Sequence, residues 1–265
     1  MQTTTASFSL HGQIGLITMH DPERHNALAA AHVRAVLAAW TESRKQQARA
    51  LVIISSEKSF CAGADIGEML AGKLLEPGPK DTERDTPVKL FRTLLADPRP
   101  VICAINGLAL GGGVELALSS DLVLATDKAR FAMPELGLGV LPRTAMVRLP
   151  EIVGQRKAME LILTRRKFDA HEALAMGLVN RLVDSEALLS CALDMARDII
   201  SAPPGVIAAV KRRLGRARPD NWQDFDDLLG DMRQPEWTEG LGAYGDKRVP
   251  DYDRFWQDSF IAPSR

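Results

Sequence analysis

The chain has few of the features that announce a specialised class of protein. Its three cysteines, Cys61, Cys103 and Cys191, are odd in number and far apart. They build neither a disulfide framework nor a cysteine metal cluster, and they suit a reducing cytoplasm. Net charge is almost absent, at −1 over 265 residues. No global field therefore draws the chain to nucleic acid or an anionic membrane. No apolar run reaches the roughly 20 residues of a bilayer span; the most apolar window, 101–114, is shorter and contains Asn106. The start, "MQTTTASFSL", has no basic region followed by an apolar one, so no signal peptide is expected. There is no Walker pattern and no G-x-G-x-x-G after a strand, which disfavours a nucleotide phosphate loop. The histidines show no metal-ligand spacing, and no metal site is expected.

An ordinary soluble composition remains, with 46% apolar and 25% charged residues. "IGLITM" (14–19), "RALVIISS" (49–56), "RPVICAI" (99–105) and "DLVLAT" (121–126) read as buried strands. Helical spacing of Leu28, Val33, Val36, Leu37 and Trp40 predicts a helix over 27–44, with Asn26 as its N-cap. Such alternation implies an α/β domain with mostly parallel pairing. Helices are expected over 154–164, 170–177, 186–200, 203–217, 221–232 and 235–245, and a polar surface loop over 71–87. The basic run "KRRLGRAR" (211–218) lacks interleaved aromatics and reads as a solvated or intersubunit face rather than an RNA site.

Two segments 50 residues apart share a plan. "LVIISSEKSFCAGADIGEML" (51–70) and "VICAINGLALGGGVELALSS" (101–120) each run from an apolar strand through a small-residue loop into a helix. The first N–H groups of a helix lack intrahelical partners and lie at the positive end of its dipole. Two such loops, "CAGAD" (61–65) and "GGG" (111–113), each offer an approachable N–H. Converging on one carbonyl oxygen, they would form an oxyanion hole. Glu115 follows the second loop by one helical turn, and Glu135 sits among Met133, Pro134, Leu136 and Leu138. Two carboxylates facing one buried water can share general acid and base work.

At these residues the chain resembles the crotonase superfamily, the enoyl-CoA hydratase/isomerase family. The resemblance rests on "DPERHNAL" (21–28), "KSFCAGADIGEM" (58–69), "RPVICAINGLALGGGVELALSSD" (99–121), "FAMPELGLGVLP" (131–142), "GLVNRLV" (177–183) and "TEGLGAYGDKR" (238–248). It implies a crotonase-like α/β spiral of ββα units over 1–200 that carries the acyl-CoA site. A helical region over 201–265 is implied to assemble homotrimers, often paired as homohexamers. The implied oxyanion donors are the N–H groups of Ala64 and Gly112, and Glu115 and Glu135 match the two catalytic glutamates. Ala62, Asp65 and Ile66 would line the path of CoA, with Arg24 and Lys58 at its entrance. The implied reaction adds water across a 2-enoyl-CoA double bond, with acyl-CoA as substrate and no metal or redox cofactor. Isomerisation, dehydration, C–C cleavage after hydration and non-catalytic acyl-CoA binding are the alternatives on this scaffold. The chain departs from the family at "LPRTAMVRLP" (141–150), where Arg143, Thr144, Ala145 and Met146 replace small residues. Leu141, Thr144 and Met146 are expected to bound the acyl pocket, and Arg143 either enters it or faces solvent.

Overall fold

The computed structural model describes residues 5–55, 58–72, 86–214 and 234–251. A hairpin opens the chain: β1 (Ala6–His11) pairs antiparallel with β2 (Ile14–Met19). After α1 (Ala30–Lys45) come three units of one pattern. The first is β3 (Ala50–Ser55), β4 (Ser59–Cys61) and α2 (Ile66–Leu70). The second follows α3 (Pro87–Ala96) and comprises β5 (Val101–Ile105), β6 (Leu108–Leu110) and α4 (Gly112–Leu118). The third is β7 (Leu122–Ala125), β8 (Arg130–Ala132) and, after a 3-10 turn at Glu135–Leu138, α5 (Arg143–Val153).

Each unit gives its first strand to one sheet and its second to another. The larger sheet runs β1-β2-β3-β5-β7-β10, with β10 at Arg181–Leu182, and is parallel from β2 onward. The smaller runs β4-β6-β8-β9, with β9 at Phe168–Asp169. The 50-residue repeat becomes a register: Leu51 pairs with Val101, Val52 with Ile102 and Ile53 with Cys103. The two similar segments are therefore stacked turns of one spiral. Their second strands, of three residues each, are too short for periodicity to show.

The large sheet is buried on both faces from β2 to β7, which explains the apolar runs of those strands, while its edge strand β1 is mostly exposed. Ile17, Leu51, Ile53 and Cys103 face α1 and the central core. Ile14, Val52, Ile102 and Leu124 face α8 (Leu188–Ile200), through Leu188, Ala192 and Ala196. Between these, α6 (Gln155–Thr164) and α7 (Ala170–Ala175) follow α5.

One reading needs correction, and two helices went unread. The helix expected over 27–44 starts at Ala30, and Asn26 does not cap it. Asn26 is fully buried, and its amide donates to Ser55 Oγ at 2.7 Å and to the Ser59 and Phe60 carbonyls. It stitches the chain before α1 to β3 and β4. The helix α3 was not foreseen beyond the 71–87 loop; Thr86 caps it by accepting from Lys89 N, and Pro87 holds its first position. The run 141–150, given no secondary structure from the sequence, comprises the lead-in and most of α5, with Pro150 inside the helix.

The last helices divide in behaviour. Along α9 (Pro204–Leu214), Val206, Val210 and Leu214 are exposed. Lys211 ties this helix to the core through Asp121 at 2.6 Å and the Arg99 carbonyl. The helix expected over 221–232, with Phe225, Leu228 and Leu229, lies outside the described residues, as does 215–218 of the basic run. The helix α10 (Gln234–Gly245) returns to the body, where Leu241 packs against Met69 and Val140.

Candidate active site

The ends of β4 and β6 and the starts of α2 and α4 meet at a cavity of about 110 Å³. Its walls bring together Ala64, Gly112, Glu115 and Glu135. A side chain at Gly112 would sit 3.4 Å from the Ala64 nitrogen, so the two small-residue loops touch backbone to backbone. Gly112 opens α4, and its N–H has no intrahelical partner. Among the described residues neither the Ala64 nor the Gly112 N–H donates a backbone hydrogen bond. Two donors side by side, facing a cavity, can hold a developing oxyanion.

The glycines flanking Gly112 are there for space. Gly111 has φ +50°, and a Cβ on it would lie 2.5 Å from Glu135 Oε1. A Cβ on Gly113 would lie 2.2 Å from the Cys61 carbonyl oxygen, which is how α4 packs onto β4. The triple glycine thus lets a carboxylate, a strand and an oxyanion donor crowd one helix start.

The two glutamates are held differently. Glu115 is buried one turn into α4, and its Oε1 accepts from Thr144 N at 2.7 Å and Ala145 N at 3.1 Å. These amides open α5, so the carboxylate caps a second helix at its positive end. Burial raises the Glu115 pKa, against the pull of the Ala145 and Thr144 amides and the Arg143 charge. Glu135 sits on the 3-10 turn, and its buried Oε2 has no hydrogen-bond partner among the described residues. Burial, and then the charge of Glu115, push its pKa up to about 8. Both carboxyls are pushed up by burial, but Glu115 has two amide donors and a nearby cation to offset it, whereas the Glu135 Oε2 has no hydrogen-bond partner among the described residues, so the two acids are unequal.

Of the other expected residues, Ala62, Ile66 and Leu141 line the cavity. Asp65 instead caps α2, accepting from Glu68 N, and Arg24 approaches Asp65 at 3.9 Å on the exposed rim. Lys58 is exposed just before β4 and does not line the cavity. His25 turns to Ser59 Oγ at 3.1 Å. Arg143 is half-buried and lines the cavity wall, as does the buried Thr144. Met146 does not; it is exposed on α5, because the helix starting at Arg143 carries it away from the cavity. The sequence reading missed Val88, Phe91, Met69 and Val140, which form the apolar wall. Only the apolar spacing of Val88, Leu90, Phe91 and Leu94 along α3 could have revealed the first two.

A family model described as enoyl-CoA hydratase/isomerase matches residues 10–254. The chain is 39% identical to a probable enoyl-CoA hydratase of Rhizobium meliloti, covering 95% of this chain and 99% of that protein. It is 36% identical to a short-chain-enoyl-CoA hydratase of Clostridium acetobutylicum, over 82% and 83% of the two chains. Among solved structures, a carnitinyl-CoA hydratase from Mycobacterium avium superposes with a TM-score of 0.82 at 31% identity, over 96% of this chain and all of the other.

Proposed function

The chain belongs to the enoyl-CoA hydratase/isomerase family, and we propose that it is an enoyl-CoA hydratase, adding water reversibly across the 2,3 double bond of an enoyl-CoA thioester. One observation carries this reading: a glutamate held by two amide donors and a glutamate whose Oε2 is unpartnered among the described residues share a cavity with two backbone N–H groups that make no backbone hydrogen bond there. The thioester oxygen sits between the N–H groups of Ala64 and Gly112. A water lies between the two carboxyl groups. Glu115 takes one proton from that water as its oxygen bonds to C3. The π electron pair shifts toward C2 and the carbonyl, and the oxyanion donors hold the resulting enolate. Glu135 delivers its proton to C2. Proton exchange between the two acids resets the site, and no metal or redox cofactor takes part.

Ala62, Asp65 and Ile66 flank the CoA path in this reading, and Arg24 and Lys58 meet its anionic groups at the rim. Leu141, Arg143 and Thr144 bound the acyl end. The exposed apolar residues of α9 support assembly of residues 201–265 into a homotrimer or homohexamer. The unpaired cysteines, with Cys61 and Cys103 buried, support a cytoplasmic location. A panel of enoyl-CoAs, followed by loss of conjugated thioester absorbance and gain of one water in the product mass, tests the reaction. Double-bond migration without water gain would identify an isomerase instead.

A further inference from the structure

We propose that Glu68 is a positioning residue for the Ala64 N–H, acting from outside the cavity by clamping α2 to the N-terminus of α1. Ala29 precedes α1 and offers no side-chain cap. The missing acceptor comes from across the fold: Ala30 N donates to Glu68 Oε2 at 2.8 Å. A carboxylate there meets both an orphan N–H and the positive end of a 16-residue helix.

The clamp matters because of what α2 carries. Ala64 lies two residues before it, and Ile66 and Met69 on it line the cavity. With five residues, α2 is too short to hold its own place. Its N-terminal side is fixed by backbone bonds to the lead-in of α1: Leu28 N to the Gly63 carbonyl at 2.7 Å and Ala62 N to the His25 carbonyl at 3.0 Å. Glu68 fixes the other side to the helix itself. Ala64 is held between these two attachments, both made to the same element. Gly112 belongs to a different turn of the spiral, so the spacing of the two donors depends on how α2 is seated. Beside Glu68, that side is packed among the described residues by Met69 against Val140 and Leu241 and by Leu70 near Gly245, apolar contacts that set no hydrogen-bond geometry.

Oxyanion stabilisation is steep in geometry, and a displacement near 1 Å can cost on the order of a hundredfold in rate. Glu68 does not line the cavity, so its loss should leave ground-state binding nearly unchanged. The kinetic part rests on the hydratase reading; a second readout does not. Wild type, Glu68→Ala, Glu68→Asp and Glu68→Gln are compared well below their melting temperatures. One readout is kcat and KM with crotonyl-CoA. The other is the infrared carbonyl stretch of bound acetyl-CoA labelled with carbon-13 at its carbonyl, which reports polarisation by the two N–H groups without any turnover.

The expected result for Glu68→Ala is a kcat about tenfold lower or worse, KM within about threefold, and a carbonyl stretch moved back toward its value in water. Glu68→Asp, one methylene short, should behave alike, and Glu68→Gln, which keeps an acceptor, should recover most of both. A wild-type carbonyl stretch in Glu68→Ala and Glu68→Asp would overturn the proposal, as would a stretch unshifted in the wild type. If the wild type hydrates no enoyl-CoA, the hydratase reading fails and the infrared comparison alone decides on Glu68.

Discussion

Glu115 accepts a 2.7 Å hydrogen bond from the Thr144 amide, and that contact joins the second turn of the spiral to the helix of the third. The same helix start places Arg143 where its charge draws the Glu115 pKa down against burial. Glu135 is drawn down only by its own backbone amide, and its Oε2 has no partner among the described residues; the inequality between the two acids follows from this arrangement.

The unequal acids make stability depend on pH. The Glu135 carboxyl is raised from 4.5 to about 8 in the folded chain. Between those values the folded state holds a proton that the unfolded state has released. Stability contributed by this group is therefore full below the lower value and is lost as pH rises through the higher one. Glu135→Gln should remove that loss and make the variant more stable than wild type at pH 8, by an amount on the order of a few kcal/mol. Urea unfolding at pH 5 and pH 8 checks it; equal pH slopes in the two proteins would contradict it.

Gly111→Ala should damage the site beyond its size. The new Cβ would lie 2.5 Å from Glu135 Oε1, at a backbone φ of +50°. Strain of this kind costs about 1–3 kcal/mol. Hydration should fall with stability, and at pH 5, where Glu135 is already protonated, adding Glu135→Gln should not relieve the fold, because glutamine fills the same space. A Gly111→Ala protein with normal turnover and melting temperature would disprove the crowding.

Arg143→Leu should change both pH profile and substrate ranking. Losing the cation raises the Glu115 pKa, so the acidic limb of kcat/KM should move to higher pH. Preference for a carboxylated enoyl-CoA over crotonyl-CoA should shrink, because the cavity wall loses its charge. Met146→Ala, on the outer surface of α5, should leave the ranking unchanged. Profiles with three enoyl-CoAs (straight, branched and carboxylated) decide the matter, and an unmoved acidic limb would count against the Arg143 account.

Assembly should depend on α9. Val206 and Val210 are 56% and 49% exposed, one turn apart, on a helix pinned by the Lys211–Asp121 ion pair. Light scattering should show a trimer or hexamer for wild type and smaller species for Val206→Glu/Val210→Glu. A stable wild-type monomer at micromolar concentration would refute it.

The site was more legible in the sequence than the architecture around it. The central strands β2, β3, β5 and β7 are largely apolar and announce themselves, while the edge strands β1 and β10, mixed or two residues long, do not; the 50-residue repeat maps onto the Leu51–Val101 register. The two small-residue loops and the two acids stood out because glycines and acids inside apolar sequence are costly without a reason, the resemblance singled out Ala64 and Gly112 within the loops, and all four residues line one cavity. The short strands β4, β6 and β8 were hidden because three residues carry no period. Asn26 misled because a polar residue before a helix looks like a cap, whereas here its hydrogen bonds are long-range. The α1 cap comes instead from Glu68, 38 residues away from Ala30, and no local pattern could signal it. Met146 misled because nearness in sequence to Glu135 suggested the pocket, whereas the helix from Arg143 turns position 146 outward.

The central claim is that one acid takes and the other gives a proton during hydration. Its most direct test is turnover of enoyl-CoA by Glu135→Gln, beside the affinity of the same variant for a saturated acyl-CoA. The account predicts hydration lower by orders of magnitude with affinity nearly intact, since the glutamine fills the same space and cannot donate a proton to C2. Near-wild-type hydration by Glu135→Gln would contradict it and leave a single-acid reaction at Glu115.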